Sequence, residues 1–320
     1  VHQLLAMTLQ FGAISAERCW EQLSRVPDFR GITVAEFEAV VAHMKKEDFL
    51  FESGGLLSMG QKAERVFGKK NFIELYAVFS SPVLYRVVSQ AGSDLGSLEQ
   101  GFVDRLVEQM SSFLLGGRAW SVQQVSHSDR IVTVREAPRG VKPSWGGFIP
   151  QHLGFELSQR IKRVLTESIR YPYVDEAGYQ HIEAKRADLA ELLSRPGPAI
   201  QLDEDRAHLW TFAGGRINHT LKYGLELSEG WKVIADNFQL RIEGDGVGHS
   251  TVRRALTRIS DASYWNEDAT RRALLARLPR YRLSKFQDCL PEPYALEMVE
   301  RYLLDVEAAV RWLGTIADDR

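Results

Sequence analysis

The sequence predicts a multidomain α+β fold, and three observations carry that prediction. Apolar residues recur at helical spacing near the N-terminus, short β-branched and aromatic runs crowd the stretch that follows, and helical periodicity returns beyond Pro150. The 320 residues, 44% hydrophobic and 26% charged, are enough for two to three domains at ~100–200 residues each. The expected divisions are 1–68, 69–150 and 151–320.

Residues 2–11 read as an amphipathic helix, Gly12 as a turn, and residues 16–25 as a second helix ended by Pro27 and Gly31. Thr33 and Glu36 have capping-box spacing, and Val34, Phe37, Val40, Val41 and Met44 share one face of the third helix they open. Two apolar runs, Phe49-Leu50-Phe51 and Leu56-Leu57, joined through Glu52-Ser53-Gly54-Gly55, form a hairpin pattern. Three helices and a hairpin predict an N-terminal winged helix; the alternative is another small helical bundle carrying a hairpin.

From 71 to 149, turns at Ser80-Ser81-Pro82, Gly92-Ser93, Gly116-Gly117, Ser128-Asp129 and Pro138-Arg139-Gly140 separate short strands. Their close spacing predicts a small β-barrel-like region, interrupted by a helix near 99–109. Beyond Pro150 a mainly helical region with some strands is expected. Its helices fall at 154–168, 179–194, 216–227, 250–259, 267–277 and 293–313, with strands at 208–212 and 231–242. Ser194-Arg195-Pro196-Gly197-Pro198 reads as a linker.

Cys19 and Cys289 form no CxxC pair, so they predict neither a disulfide framework nor a zinc site, and each reads as a buried small hydrophobe in a cytoplasmic protein. No apolar run reaches the ~20 residues that cross a bilayer, so no membrane partner is expected. The chain opens inside an amphipathic pattern without Met, which leads to the expectation that it is part of a longer polypeptide. A net charge of −2 argues against a strongly basic nucleic-acid binder but leaves room for a local groove.

Several stretches imitate chemical motifs. Gly55 to Lys62 looks like a phosphate loop, but Gln61 separates Gly60 from Lys62 and Ala63 stands where a Mg²⁺-binding hydroxyl is needed. Asp203-Glu204-Asp205-Arg206-Ala207-His208 imitates an acidic helicase box, yet Pro198 to Leu202 make a poor buried parallel strand, so a solvated loop or helix start is expected there. The eight histidines are scattered without metal-ligand spacing, and His219 reads as a surface or capping residue.

Four stretches in a fixed order resemble the region that follows the two motor domains in helicases of the large helicase-related (Lhr) type. They are Gly54 to Ser58 with Gly68-Lys69-Lys70-Asn71-Phe72 and Phe79-Ser80-Ser81-Pro82; Phe113 to Val122 with Ile131 to Val134; Ala137-Pro138 with Lys142-Pro143-Ser144-Trp145; and Ala213 to Asn218 with Arg282 to Gln287. The resemblance implies a winged helix, then a β-barrel with attached helices, acting as the nucleic-acid-binding accessory region of an ATP-dependent 3′-to-5′ DNA helicase. The partners it implies are single-stranded or tailed DNA, or an RNA–DNA hybrid, and RecA-like domains in cis. ATP and Mg²⁺ belong to those motor domains. No cofactor, metal or catalytic residue is expected in this chain, which contains no phosphate loop.

Such a region grips a strand through phosphate contacts and base stacking. Trp145, in a Pro-Ser-Trp-Gly-Gly turn preceded by Arg139 and Lys142, is the first candidate; the resemblance places a base-stacking Trp in this turn, and the alternative is a ring capping the barrel end. Arg118 in the Gly-Gly-Arg-Ala-Trp stretch faces either phosphate or a salt bridge, with Trp120 expected in the core. Ser80, Ser81 and Val83 resemble a family turn against the loaded strand. Lys69 and Lys70 follow the hairpin, Lys45 and Lys46 end the third helix, and Arg216 with Asn218 begins a helix whose N–H groups suit a phosphate. Arg282 and Lys285 form a further basic pair. The competing readings are a protein-interaction or oligomerisation module and a base-processing enzyme using Asp236 or Glu243. A role in DNA repair or phage defence fits the helicase reading.

Overall fold

The computed structural model describes residues 1–76, 84–103, 106, 111–140, 149–193, 198–203 and 206–318. The chain is a mixed α+β protein. It divides into two compact units, Val1–Ile149 with Tyr281–Pro291, and Pro150–Arg280 with Glu292–Arg320.

The first unit opens with α1 (His2–Phe11), β1 (Ile14–Ser15), α2 (Ala16–Leu23) and α3 (Val34–Lys46), followed by β2 (Leu50–Ser53), β3 (Leu56–Met59), α4 (Gln61–Phe67) and α5 (Phe72–Tyr76). The capping box holds: Thr33 Oγ1 accepts the Glu36 N–H, and the Glu36 carboxylate accepts the Thr33 N–H. Gly54 and Gly55, both at positive φ, turn the β2–β3 hairpin, a conformation that suits residues without a Cβ. β3 pairs antiparallel with β2 and with β1. Leu4, Leu5, Cys19, Phe37, Met44, Leu57 and Phe67 are buried together, joined by Phe286 and Cys289 from the returning segment.

A curled half-barrel follows, in the order β5-β4-β8-β7-β6, from β4 (Leu84–Ser89), β5 (Asp94–Glu99), β6 (Ser112–Leu115), β7 (Arg118–Ser126) and β8 (Ile131–Glu136). Only β4 and β8 pair in parallel among these described strands. Trp120 is in its core, as expected, with its indole N–H donated to the Leu115 carbonyl. One expectation is corrected here. Residues 72–76 form α5, where a β-rich stretch was expected to begin, because Phe72 and Tyr76 stand at helical spacing. The helix expected near 99–109 is present as α6 (Gln100–Val103), and residues 104, 105 and 107–110 of that span lie outside the described residues.

The second unit contains α7 (Phe155–Thr166), α8 (Glu176–Leu193), β9 (Ala199–Asp203), β10 (Arg206–Trp210), α9 (Gly215–Glu229), β11 (Lys232–Ala235) and β12 (Gln239–Glu243), then α10 (His249–Ile259), α11 (Ala262–Asn266), α12 (Asp268–Arg277), α13 (Glu292–Leu303) and α14 (Val306–Asp318). An antiparallel sheet in the order β11-β12-β10-β9 packs on α9. Ile217, Leu221 and Leu225 of α9 are buried, and Gly224 lets the Trp265 ring approach its backbone.

Three more readings are corrected. Residues 293–313 are two helices, because the Asp305 carboxylate accepts the Ala308 N–H and caps a new start for α14. The strand expected over 231–242 is a hairpin, turned where Asp236 Oδ1 accepts the N–H groups of Phe238 and Gln239. Asp203 is neither loop nor helix start but the end of β9, paired with Arg206. No described helix is long and apolar enough to cross a membrane.

Candidate nucleic-acid interface

The half-barrel brings two predicted residues to one end. In the β6–β7 hairpin Gly116 and Gly117 have φ of 58° and 77°, so the turn needs glycine and Arg118 is the first residue to leave it. On β8, Glu136 pairs with Trp120, and the Ala137 N–H continues the ladder to the Ala119 carbonyl. Arg139 therefore sits at the same end of the sheet as Arg118. Gly140 keeps the chain against β6: a Cβ there would stand 2.4 Å from the Phe113 carbonyl carbon.

Both arginines are exposed. Arg118 Nη1 lies 3.0 Å from the Glu136 carboxylate, and both side chains are 70% exposed. An exposed pair of this kind is worth at most about 1 kcal/mol, so a phosphate can displace the carboxylate at little cost. Trp145, Lys142, Ser80, Ser81 and Val83 lie outside the described residues.

Lys69 and Lys70 are exposed in the turn between α4 and α5. Lys45 at the end of α3 forms an ion pair with Glu52 on the hairpin. Lys285, by contrast, is drawn inward: its ammonium donates to the Glu74 carbonyl and lies 5.3 Å from the centre of the Phe286 ring. Arg282 pairs with Asp288 at 3.4 Å.

In the second unit the predicted phosphate site at the start of α9 is filled by protein. The Gly214 N–H donates to the Asn237 carbonyl and the Gly215 N–H to the Leu153 carbonyl. A Cβ on Gly215 would lie 2.1 Å from His152 Nδ1. Asn218 is fully buried, donating to the Asp236 carbonyl and accepting from Thr211. Arg216 donates twice to the Leu304 carbonyl, at 3.1 and 2.7 Å, capping α13, and pairs with Asp305 at 3.4 Å.

His219 is half-buried on α9. Its ring packs edge-on against His152 at 4.9 Å, with Nδ1 2.9 Å from the Gly215 carbonyl. Burial, then the neighbouring His219 and Arg216, push His152 down to about 4, and burial also lowers His219. Both nitrogens of His152 are enclosed without a hydrogen-bond partner.

The residues weighed for acid–base chemistry have structural partners. Asp236 holds the β11–β12 turn, and Glu243 lies 3.4 Å from both Arg206 and Lys232. Cys19 and Cys289 are buried free thiols, and burial pushes Cys289 up to about 11, which makes its thiolate scarce. Among the described residues no group of three His, Cys, Asp or Glu gathers as a metal-ligand set.

Sequence reasoning named Phe72 only within a family-like stretch and passed over Tyr76; both are exposed on α5 next to Lys69, with ring centres 6.0 Å apart. Their i, i+4 spacing was the available signal.

No protein-family model and no curated protein matches this chain. Among solved structures it is similar over its full length to Mycobacterium smegmatis helicase Lhr bound to ssDNA and AMP-PNP, with 16% identity, a TM-score of 0.46 and 44% of that chain covered. Over 84% of its length it is similar to the DUF1998 helicase MrfA bound to DNA, with 9% identity, a TM-score of 0.24 and 36% of that chain covered. The chain thus spans less than half the length of either helicase.

Proposed function

We propose that this chain is the nucleic-acid-binding accessory region of an ATP-dependent 3′-to-5′ DNA helicase of the Lhr type, gripping single-stranded DNA behind RecA-like motor domains. In this reading residues 1–68 are a winged helix, 69–150 a β-barrel-like domain and 151–320 a helical α+β region. ATP hydrolysis belongs to the motor domains, and this chain supplies grip rather than catalysis.

The observation that carries the reading is the exposure of Arg118 and Arg139, 21 residues apart in sequence, at one end of the half-barrel, with Lys142 and Trp145 three and six residues further along the sequence. Arginine forks bind phosphate without reading sequence, and an indole stacks on any base. The four stretches that resemble the Lhr type support it. Ser80, Ser81, Val83, Lys69 and Lys70 extend the proposed path of the strand.

Fluorescence anisotropy of a labelled single strand, at low and moderate salt, tests the proposal. The expected result is salt-sensitive binding that Trp145→Ala weakens about tenfold, a stacked base being worth ~1–3 kcal/mol. Absence of binding even at low salt would remove the grip.

A protein-interaction module is favoured by one feature of the second unit. A groove of about 740 Å³ between α12, α13 and α14 has Leu275, Leu296 and Val306 in its lining, and its Arg216, Arg271 and Arg301 are paired with Asp305, Glu300 and Glu297. Such a surface suits an apolar partner better than a phosphate.

A further inference from the structure

We infer that the groove between α1 and α5 is a second base-stacking site for single-stranded nucleic acid, built from Tyr76, Phe72 and Lys69. The inference rests on the strand-gripping function proposed above and adds a site to it.

The groove encloses about 660 Å³, within the ~300–1,000 Å³ range typical of small-ligand pockets. Gln3 and Gln10 line one wall from α1, with Phe72, Leu75 and Tyr76 opposite on α5 and Lys69 at the turn that leads into it. α5 is only five residues long, yet Tyr76 is 78% exposed, Ile73 68% and Phe72 47%. Large apolar side chains crowded on so short an element mark a surface that binds something.

The chemistry of the walls selects the occupant. None of the described lining residues is a carboxylate. Glu74, on the same helix, has its carboxylate 3.6 Å from the Lys285 ammonium. Among the described lining residues the lysine is Lys69, followed by exposed Lys70, and either can meet a phosphate of the strand. Phe72 and Tyr76 present π-faces for a base, and the two glutamine amides offer donors and acceptors to a base edge. An apolar peptide would use the rings but leave the lysines and amides without partners.

The framework is preformed. His2 Nε2 lies 2.8 Å from the Leu75 carbonyl, tying α1 to the last turn of α5, and the His2 ring packs against Phe286 at 4.8 Å. A base entering the groove therefore meets a backbone framework that is already tied together, which lowers the ordering cost of binding.

The test is anisotropy of the whole chain with a fluorescein-labelled oligothymidylate, comparing Tyr76→Ala, Tyr76→Phe, Lys69→Gln and Trp145→Ala, with circular dichroism to verify folding. Tyr76→Ala is expected to weaken binding about tenfold while Tyr76→Phe stays near wild type, since stacking needs the ring and not the hydroxyl. Lys69→Gln should lower the slope of log affinity against log salt by about 0.7, one phosphate's share on a single strand. If Tyr76→Ala and Lys69→Gln bind like wild type while Trp145→Ala is weak, the groove is refuted and the half-barrel grip survives. Loss in Tyr76→Ala with none in Trp145→Ala leaves the groove standing and overturns the grip. No binding by the wild-type chain overturns both.

Discussion

The triplet Gly-Gly-Arg occurs twice in this chain, at Gly116-Gly117-Arg118 and at Gly214-Gly215-Arg216, and the two copies meet opposite fates. In the first, both glycines turn a hairpin at positive φ with nothing within 4 Å of a would-be Cβ, and the arginine stands in solvent beside one carboxylate. In the second, the glycines are pressed against Leu153, His152 and Asn237, and the arginine binds the end of a helix 88 residues away. A glycine pair before an arginine thus permits either an open turn or a close contact. What surrounds the turn decides whether the guanidinium is available to a ligand.

The largest expected difference between the two copies lies in the glycines. Gly215→Ala would place a Cβ 2.1 Å from His152 Nδ1 and 2.6 Å from Asn237 Oδ1, costing about 3 kcal/mol of stability by forced repacking. Gly117→Ala meets no clash and costs only the strain of a positive φ, about 1–2 kcal/mol. Urea denaturation of the two variants measures this, and equal losses would dissolve the contrast.

The second expected effect is acid lability around the second triplet alone. His152 is held neutral by burial, with its pKa about 4 in the folded chain against 6.5 when unfolded, so between those values the unfolded state takes up the proton first. The resulting stability is complete above about pH 6.5 and is lost as pH falls towards 4. His152→Gln should flatten the pH profile of the melting temperature over that window, whereas a profile unchanged by the substitution would mean that other groups set it.

The smallest effects separate the arginines themselves. Arg216→Ala removes two bonds to the Leu304 carbonyl and should cost about 1–2 kcal/mol, less than a buried network because the side chain is 46% exposed, with no change in strand affinity. Arg118→Ala should stay within about 0.5 kcal/mol in stability yet weaken binding and reduce its salt dependence. A loss of strand binding in Arg216→Ala without loss of stability would reverse these assignments.

The sequence by itself determined whatever depends on neighbours within a turn or two. The Thr33–Glu36 capping box, the Gly54-Gly55 hairpin, the glycine turn ahead of Arg118 and the inward Trp120 all rest on such local rules. The break between α13 and α14 was equally local, signalled by the Asp305 cap, and was passed over because apolar periodicity runs through it. Only the tertiary structure decided which cations are free. Lys285 is tied to Glu74 across 211 residues and Arg216 to Leu304 across 88, while Arg118 keeps one exposed ion pair with Glu136. Charge is a property of a residue, but its availability depends on partners brought near by the folded chain.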